Sequence, residues 1–164
     1  MAAGAVGVVT MTVGEKLEQR LTGRPDSHVP ARTLERLLRL PEGDQQQPRS
    51  LNLLMHFGQG VILGSLRGIM ANGGLRGPWS SAMFAVVRLT NDQTLENATG
   101  VGAPPWTWPR RELAIDLGHK AVYAFVTGLV ADRLAARSGP GPGGEHARLR
   151  PGRHEGVDPV ARPA

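Results

Sequence analysis

Residues 50–71 read SLNLLMHFGQGVILGSLRGIMA, and the class of the fold turns on this stretch. No charged residue occurs from Ser50 to Leu66, a run of 17. A helix that crosses a bilayer needs about 20 mostly apolar residues, with about 17 as the lower bound. Gly60, Gly64 and Gly68 form a doubled GxxxG ladder along it. In a helix bathed in water each interior glycine costs roughly 0.8–1 kcal/mol against Ala. Between membrane helices small residues let the backbones approach and pack. The stretch therefore predicts a helix over about Leu51–Ala71 that packs through its glycine face. Gly64→Leu is expected to disrupt that packing and Gly64→Ala to be much milder.

Three more segments read as helices, roughly Ala2–Leu21, Trp79–Leu95 and Arg111–Arg137. Their charge-free runs, Met1–Gly14, Gly77–Val87 and Ala121–Ala131, span 14, 11 and 11 residues, each shorter than a membrane crossing. A mean hydropathy of −0.21 also favours water. Against this, the runs are rich in small residues, and Trp79, Trp106 and Trp108 lie at segment ends, where an interfacial aromatic belt places them. The interrupting charges, Lys16, Arg67, Arg88, Arg110, Arg111 and Arg133, are expected to snorkel to the headgroups.

Between the first two segments PARTLERLLRL reads as a short amphipathic helix. Val29, Leu34, Leu37 and Leu38 form its apolar stripe, with Arg32, Glu35, Arg36 and Arg39 facing away. Ser27 is the expected N-cap and Pro30 suits the first turn. Leu40–Ser50 and Asn97–Pro109 read as loops. From Ser138 to Ala164 the chain is dense in Gly, Pro and Arg without apolar period, and it is expected to be disordered. The apolar alternation of strands is nearly absent. The fold class is all-α: a four-helix polytopic membrane bundle over 1–137, with a short amphipathic helix after the first span and a disordered tail over 138–164. The first segment is not a secretory signal, because it flows into GEKLEQR rather than a cleavage site.

The absence of Cys excludes disulfide scaffolds, thiolate metal sites and Cys nucleophiles. The net charge is +5, and only Lys16 and Lys120 among the 19 basic residues are lysines. With 22 Gly and 13 Pro, this is the composition of a GC-rich genome, so the arginines are weak evidence for a nucleic-acid partner, and none is expected. No phosphate-binding loop, HExxH motif or Ser nucleophile elbow occurs, and no cofactor is expected.

Two polar stripes carry the available chemistry. Asn52, His56 and Gln59 fall at spacings of four and three on the second long helix, beside the glycine ladder. Asp116, His119, Lys120 and Tyr123 fall at i, i+3, i+4 and i+7 on the last. Ionisable groups at membrane depth mark solute or proton paths by default. The plainer reading has the first stripe bonding neighbouring helices and the second anchoring a helix end at the surface. His56 and His119 with Asp116 make a weak signal for a metal site. Glu15 with Glu18, and Asp92 with Glu96, read as solvated helix ends rather than acid–base pairs.

The order of these pieces carries a resemblance. MTVGEKLEQRLTGRPDSHVPARTLERLL, then MHFGQGVILGSLRGIMA, then APPWTWPRRELAIDLGHKAVYAFVTGLVADRL resembles the uncharacterised YagU-like small inner-membrane proteins of bacteria, particularly actinobacterial ones, over roughly Ala2–Leu134. The MHFGQG and DLGHKAVY openings are the most telling. The resemblance implies a four-helix integral membrane protein of the bacterial inner membrane and no defined reaction. The expected role is structural, scaffolding or permeation-related. The partner is the lipid bilayer, with a homo-oligomer or membrane partner on the glycine face. The alternatives are a peripheral Arg-rich binder of nucleic acid or anionic lipid, and a membrane enzyme acting on lipid headgroups through His56 or His119. Arginines flank both the first connection and the tail, so the positive-inside rule pulls both ways.

Overall fold

Helix α1 (Ala2–Thr22) stops at Gly23, whose φ of 72° is left-handed and whose N–H reaches Gln19 O at 2.9 Å. The computed structural model describes residues 1–41 and 49–149. Among them are five more α-helices, a single 3-10 turn at Pro105–Thr107 and no strand. They are α2 (Val29–Leu37), α3 (Arg49–Asn72), α4 (Pro78–Ala98), α5 (Arg110–Ala136) and α6 (Gly141–Leu149). Proline in the first turn starts both α2 and α4, where its missing N–H costs nothing.

Side-chain pairings fix the directions of the four long helices. Gly4 lies against Gly64, Val8 against Gly60, and Thr12 against His56, so α1 and α3 run antiparallel. Ser81 meets Gly128, Phe84 meets Tyr123, and Asp92 meets Lys120, so α4 and α5 do too. Tyr123 pairs with Gly60, and Asp132 with Arg67, so α3 and α5 run parallel. The result is an up-down-up-down bundle. One end gathers the start of α1 and the ends of α3 and α5. The other gathers α2, the start of α3, the end of α4 and the start of α5.

The core is made of few large side chains. Val8, Met11, Phe84, Tyr123 and Ala124 fill its middle, and Ala3, Ala71, Ala131 and Ala135 its first end. Beyond these alanines Arg76 closes the helix ends, donating to Ala71 O at 2.8 Å, Ala135 O at 3.1 Å and Gly139 O at 2.6 Å. Ala71 O and Ala135 O also accept the Gly74 and Ser138 N–H groups, and the guanidinium fork adds a second donor at each helix end.

Several expectations are corrected here. Arg67 and Arg88 do not snorkel: they are 0% and 4% exposed and point into the bundle, held by Asp132 and Asp92. Gly68 has no neighbour within 4 Å, so only Gly60 and Gly64 form the contact ladder. That ladder is covered by α1 of the same chain. The α2 stripe holds only in part: Arg32, Arg36 and Arg39 are exposed and Val29 and Leu34 half-buried as expected, but Ala31, Thr33 and Glu35 are buried while Leu37, Leu38 and the following Leu40 are exposed. The short helix meets α3 with its small and polar side, where Asn52 Oδ1 accepts the Ala31 N–H at 3.2 Å. His28, not Ser27, is its N-cap, and Ser27 Oγ accepts the Val29 N–H at 3.3 Å. α4 extends through Ala98 into the stretch read as loop. Among the described residues one helix, α5, is long and apolar enough to cross a membrane by length and hydropathy, rather than α3.

The tail also differs. Gly141–Leu149 is helical, because its glycines allow backbone-to-backbone contact with the turn after α3, where Gly143 N–H donates to Gly73 O at 2.8 Å. Residues 150–164 of the tail, and 42–48 of the first loop, lie outside the described residues. Truncation after Arg137 removes the Gly143–Gly73 bond and the Gly139 acceptor of Arg76. Such bonds are worth about 0.5–3 kcal/mol net. The truncated chain is therefore expected to aggregate at a lower temperature than the full chain; an unchanged aggregation temperature would show that α6 adds nothing.

Candidate functional site

A cavity of about 520 Å³ occupies the end of the bundle opposite α6. α1, α3, α4 and α5 supply its walls, and residues 24–30 and 101–109 border its mouth. Both predicted stripes open onto it: His56 and Gln59 from α3, and Asp116, His119 and Lys120 from α5. Of the other two stripe residues, Asn52 fixes α2 to α3, and Tyr123 lies below the floor with its hydroxyl donating to Gly60 O at 2.5 Å.

The centre of the site is Asp92, with 5% side-chain exposure. Three helices converge on its carboxylate. Gln59 Nε2 donates to Oδ1 at 2.8 Å, while Arg88 Nε lies 3.1 Å and Lys120 Nζ 3.4 Å from Oδ2. Lys120 also donates to Asp116 Oδ2 at 2.6 Å. Two cations and two carboxylates thus form one neutral network across α3, α4 and α5. A buried charge is tolerable only when paired in this way. The Arg88 guanidinium sits 5.1 Å from the centre of the Tyr123 ring, whose face favours a cation. Burial of this network is what the sequence reading missed: Asp92 looked like a solvated helix end. The usable signal was that Ser81, Phe84, Arg88 and Asp92 share one face of α4.

On the opposite wall Thr12 Oγ1 lies 3.0 Å from His56 Nε2 and donates its own proton to Val8 O at 2.7 Å. The hydroxyl proton being used, His56 Nε2 carries the hydrogen of the pair and donates it. Glu15, Glu96, Glu112 and Asp116 line the mouth together with Arg24. Glu96 lies two turns outward of Arg88 on α4, and Asp116 and Glu112 one and two turns outward of Lys120 on α5. Beside the mouth Arg24 pairs with Glu18 at 3.0 Å. The Lys16 ammonium bonds Asp26 and holds that carboxyl below the usual carboxylate range.

A second buried pair lies towards the far end. Arg67 Nη2 is 2.8 Å from Asp132 Oδ1, and Asp132 Oδ2 accepts the Gly77 N–H at 2.8 Å. This pair ties the α3–α4 turn to α5. Between it and the cavity stand Phe84, Tyr123 and Met11, so the polar interior is divided by an apolar layer. Among the described residues no group of three His, Cys, Asp or Glu side chains is placed to hold a metal ion, and His56, His119 and Asp116 do not form one.

The aromatic residues at the segment ends separate into two kinds. Trp79 and Trp106 are 78% and 83% exposed and stand at opposite ends of α4. Trp108 instead lines the cavity, its Nε1 donating to Ala103 O at 2.8 Å. Comparison of the chain with family models, curated proteins and solved structures gave no match.

Proposed function

We propose that α1, α3, α4 and α5 cross a lipid bilayer, that of the bacterial inner membrane, and that the cavity is a vestibule open to water on one side. The role is permeation-related: the vestibule admits a small polar solute to the buried charge network. One observation carries this reading, the direction of the charged side chains. On α4, Arg88 and Asp92 are buried and Glu96 is half-buried, while Trp79, Met83, Val86, Val87, Thr90 and Thr94 are exposed. The outer face of the helix therefore carries no exposed charge over 21 residues, about 30 Å at 1.5 Å per residue, which matches the hydrocarbon thickness. On α5 the outer face carries no exposed charge from Leu113 to Asp132, and on α3 none after Arg49.

An apolar exterior around a charged interior suits lipid and is costly in water, where contiguous apolar patches lead to association. Trp79 and Trp106 bracket α4 as interfacial anchors do. Hydropathy alone under-reports these helices because it counts Arg67, Arg88, Asp92 and Lys120 without regard to the face they occupy. The outward leucines of α2, flanked by Arg32 and Arg36, suit the headgroup layer at the cavity end. The resemblance to the YagU-like proteins belongs to this proposal.

The test is extraction. The protein is expected to stay in the membrane pellet after alkaline carbonate and after high salt, and to need detergent for release. Folded, monodisperse protein recovered from the supernatant would overturn the membrane reading.

A further inference from the structure

We infer that the vestibule binds an elongated zwitterion, with its carboxylate on Arg88 at the floor and its ammonium among the carboxylates at the mouth. This deepens the permeation reading, on which it rests for access of solute from water.

Arg88 supplies the first anchor. It lines the cavity, is 4% exposed, and its Nη1 has no hydrogen-bond partner. A buried guanidinium N–H without an acceptor is unfavourable, and a carboxylate is the acceptor that matches its planar fork. The second anchor is the outer part of the mouth, where Glu15, Glu96 and Glu112 stand, Asp116 being held by Lys120. The order of charge along the axis selects the ligand. A simple anion must pass that acidic mouth, and it adds net charge to a network in which Asp92 and Asp116 already offset Arg88 and Lys120. A simple cation meets Arg88 at the floor. A zwitterion adds no net charge and meets both anchors in the right order.

Length follows from α4. Arg88 and Glu96 are separated by eight residues, about 12 Å of helix rise. The two charges of an α-amino acid are too close together to reach from Arg88 to Glu96. Met11, Met55 and Leu95 line the cavity and offer an apolar wall to a methylene chain between the charges. The ligand class is therefore that of ω-amino acids.

The probe is 6-aminohexanoate, titrated calorimetrically into the full chain purified in detergent. Saturable binding is expected, with glycine, hexanoate and hexylammonium each weaker by about tenfold or more. Arg88→Gln is expected to abolish binding. Glu96→Gln lies at the half-buried mouth, away from the central network, and is expected to weaken binding about tenfold in a chain that still folds. No saturable binding by folded wild type at about 10 mM overturns the inference. So does hexanoate binding as tightly as 6-aminohexanoate, or unchanged affinity in Glu96→Gln. Carbonate extraction reads the membrane assignment separately, so a pelleted protein that does not bind the probe defeats this inference alone.

Discussion

Gly64→Ala lowers the thermal stability of the purified bundle, and Gly64→Leu keeps it from accumulating. The reason is how closely α1 and α3 approach. A Cβ on Gly64 would stand 2.6 Å from Gly4 N, and a Cβ on Gly4 would stand 2.6 Å from Gly60 O. These neighbours are backbone atoms, so no rotamer change relieves the clash; the helices must separate. Overpacking of this kind costs about 1–3 kcal/mol and occasionally more. Even the single methyl of Ala meets backbone, which corrects the expectation that Ala would be mild. Two controls use the same helix. Gly68 has open space around it, so Gly68→Ala is expected to be tolerated. Ile62 is 67% exposed on the outer face, so Ile62→Ala is expected to cost little. The measurement is the yield of membrane-inserted protein for Gly64→Leu and thermal aggregation in detergent for the other three variants. If Gly64→Ala is tolerated while Ile62→Ala unfolds the protein, the α1–α3 interface is misplaced and the outer face is a core.

The long helices were legible because each is long and its punctuation is local. Gly23 ends α1, Pro78 begins α4, and runs without charge lie between. The two polar stripes were legible for the same reason, since spacing along a helix fixes a common face. That they meet in one cavity was not, because spacing within one helix is silent about which neighbour it faces. The inward charges were misread through a general rule. Arg67 and Arg88 were assigned to the headgroups by their nearness to segment ends, yet each has an acidic partner in the bundle, Asp132 from another helix and Asp92 one turn on. In α2 the departure is confined to Glu35, which is buried, and to Leu37 and Leu38, which are exposed, while Arg32, Arg36 and Arg39 face away as the pattern predicts. The α6 helix was missed because composition weighs Gly141, Gly143 and Gly144 as breakers. Here they are what lets the chain lie against Gly73 and Gly74.

Inward placement of charge makes Asp92 a sensitive side chain. Asp92→Asn is expected to destabilise the bundle by about 3–5 kcal/mol, the cost of leaving a buried charge without its partner. The substitution keeps the shape and removes the charge that offsets Arg88, and it places an N–H₂ group or a neutral oxygen where two cations now converge. Asp116→Asn provides the graded comparison. Its side chain is 30% exposed, so water replaces part of what Lys120 loses, and the expected cost is smaller. The decisive variant is the double substitution Arg88→Met with Asp92→Asn. It removes one cation and one anion together, leaves Lys120 with Asp116, and restores a neutral interior. Most of the stability lost in Asp92→Asn is expected to return, as when buried ion pairs are replaced by apolar groups of similar volume. Thermal aggregation of the three variants in detergent reads the ranking. If Asp92→Asn is as stable as the wild type, water reaches Arg88 freely and the network is not sealed. If the double variant is no better than Asp92→Asn, the cost lies in the lost Gln59 contact and the geometry of the three-helix junction rather than in unbalanced charge. Recovery in the double variant, together with loss of zwitterion binding in the same protein, would separate the two roles of Arg88: balancing charge in the fold and presenting a donor to the solute.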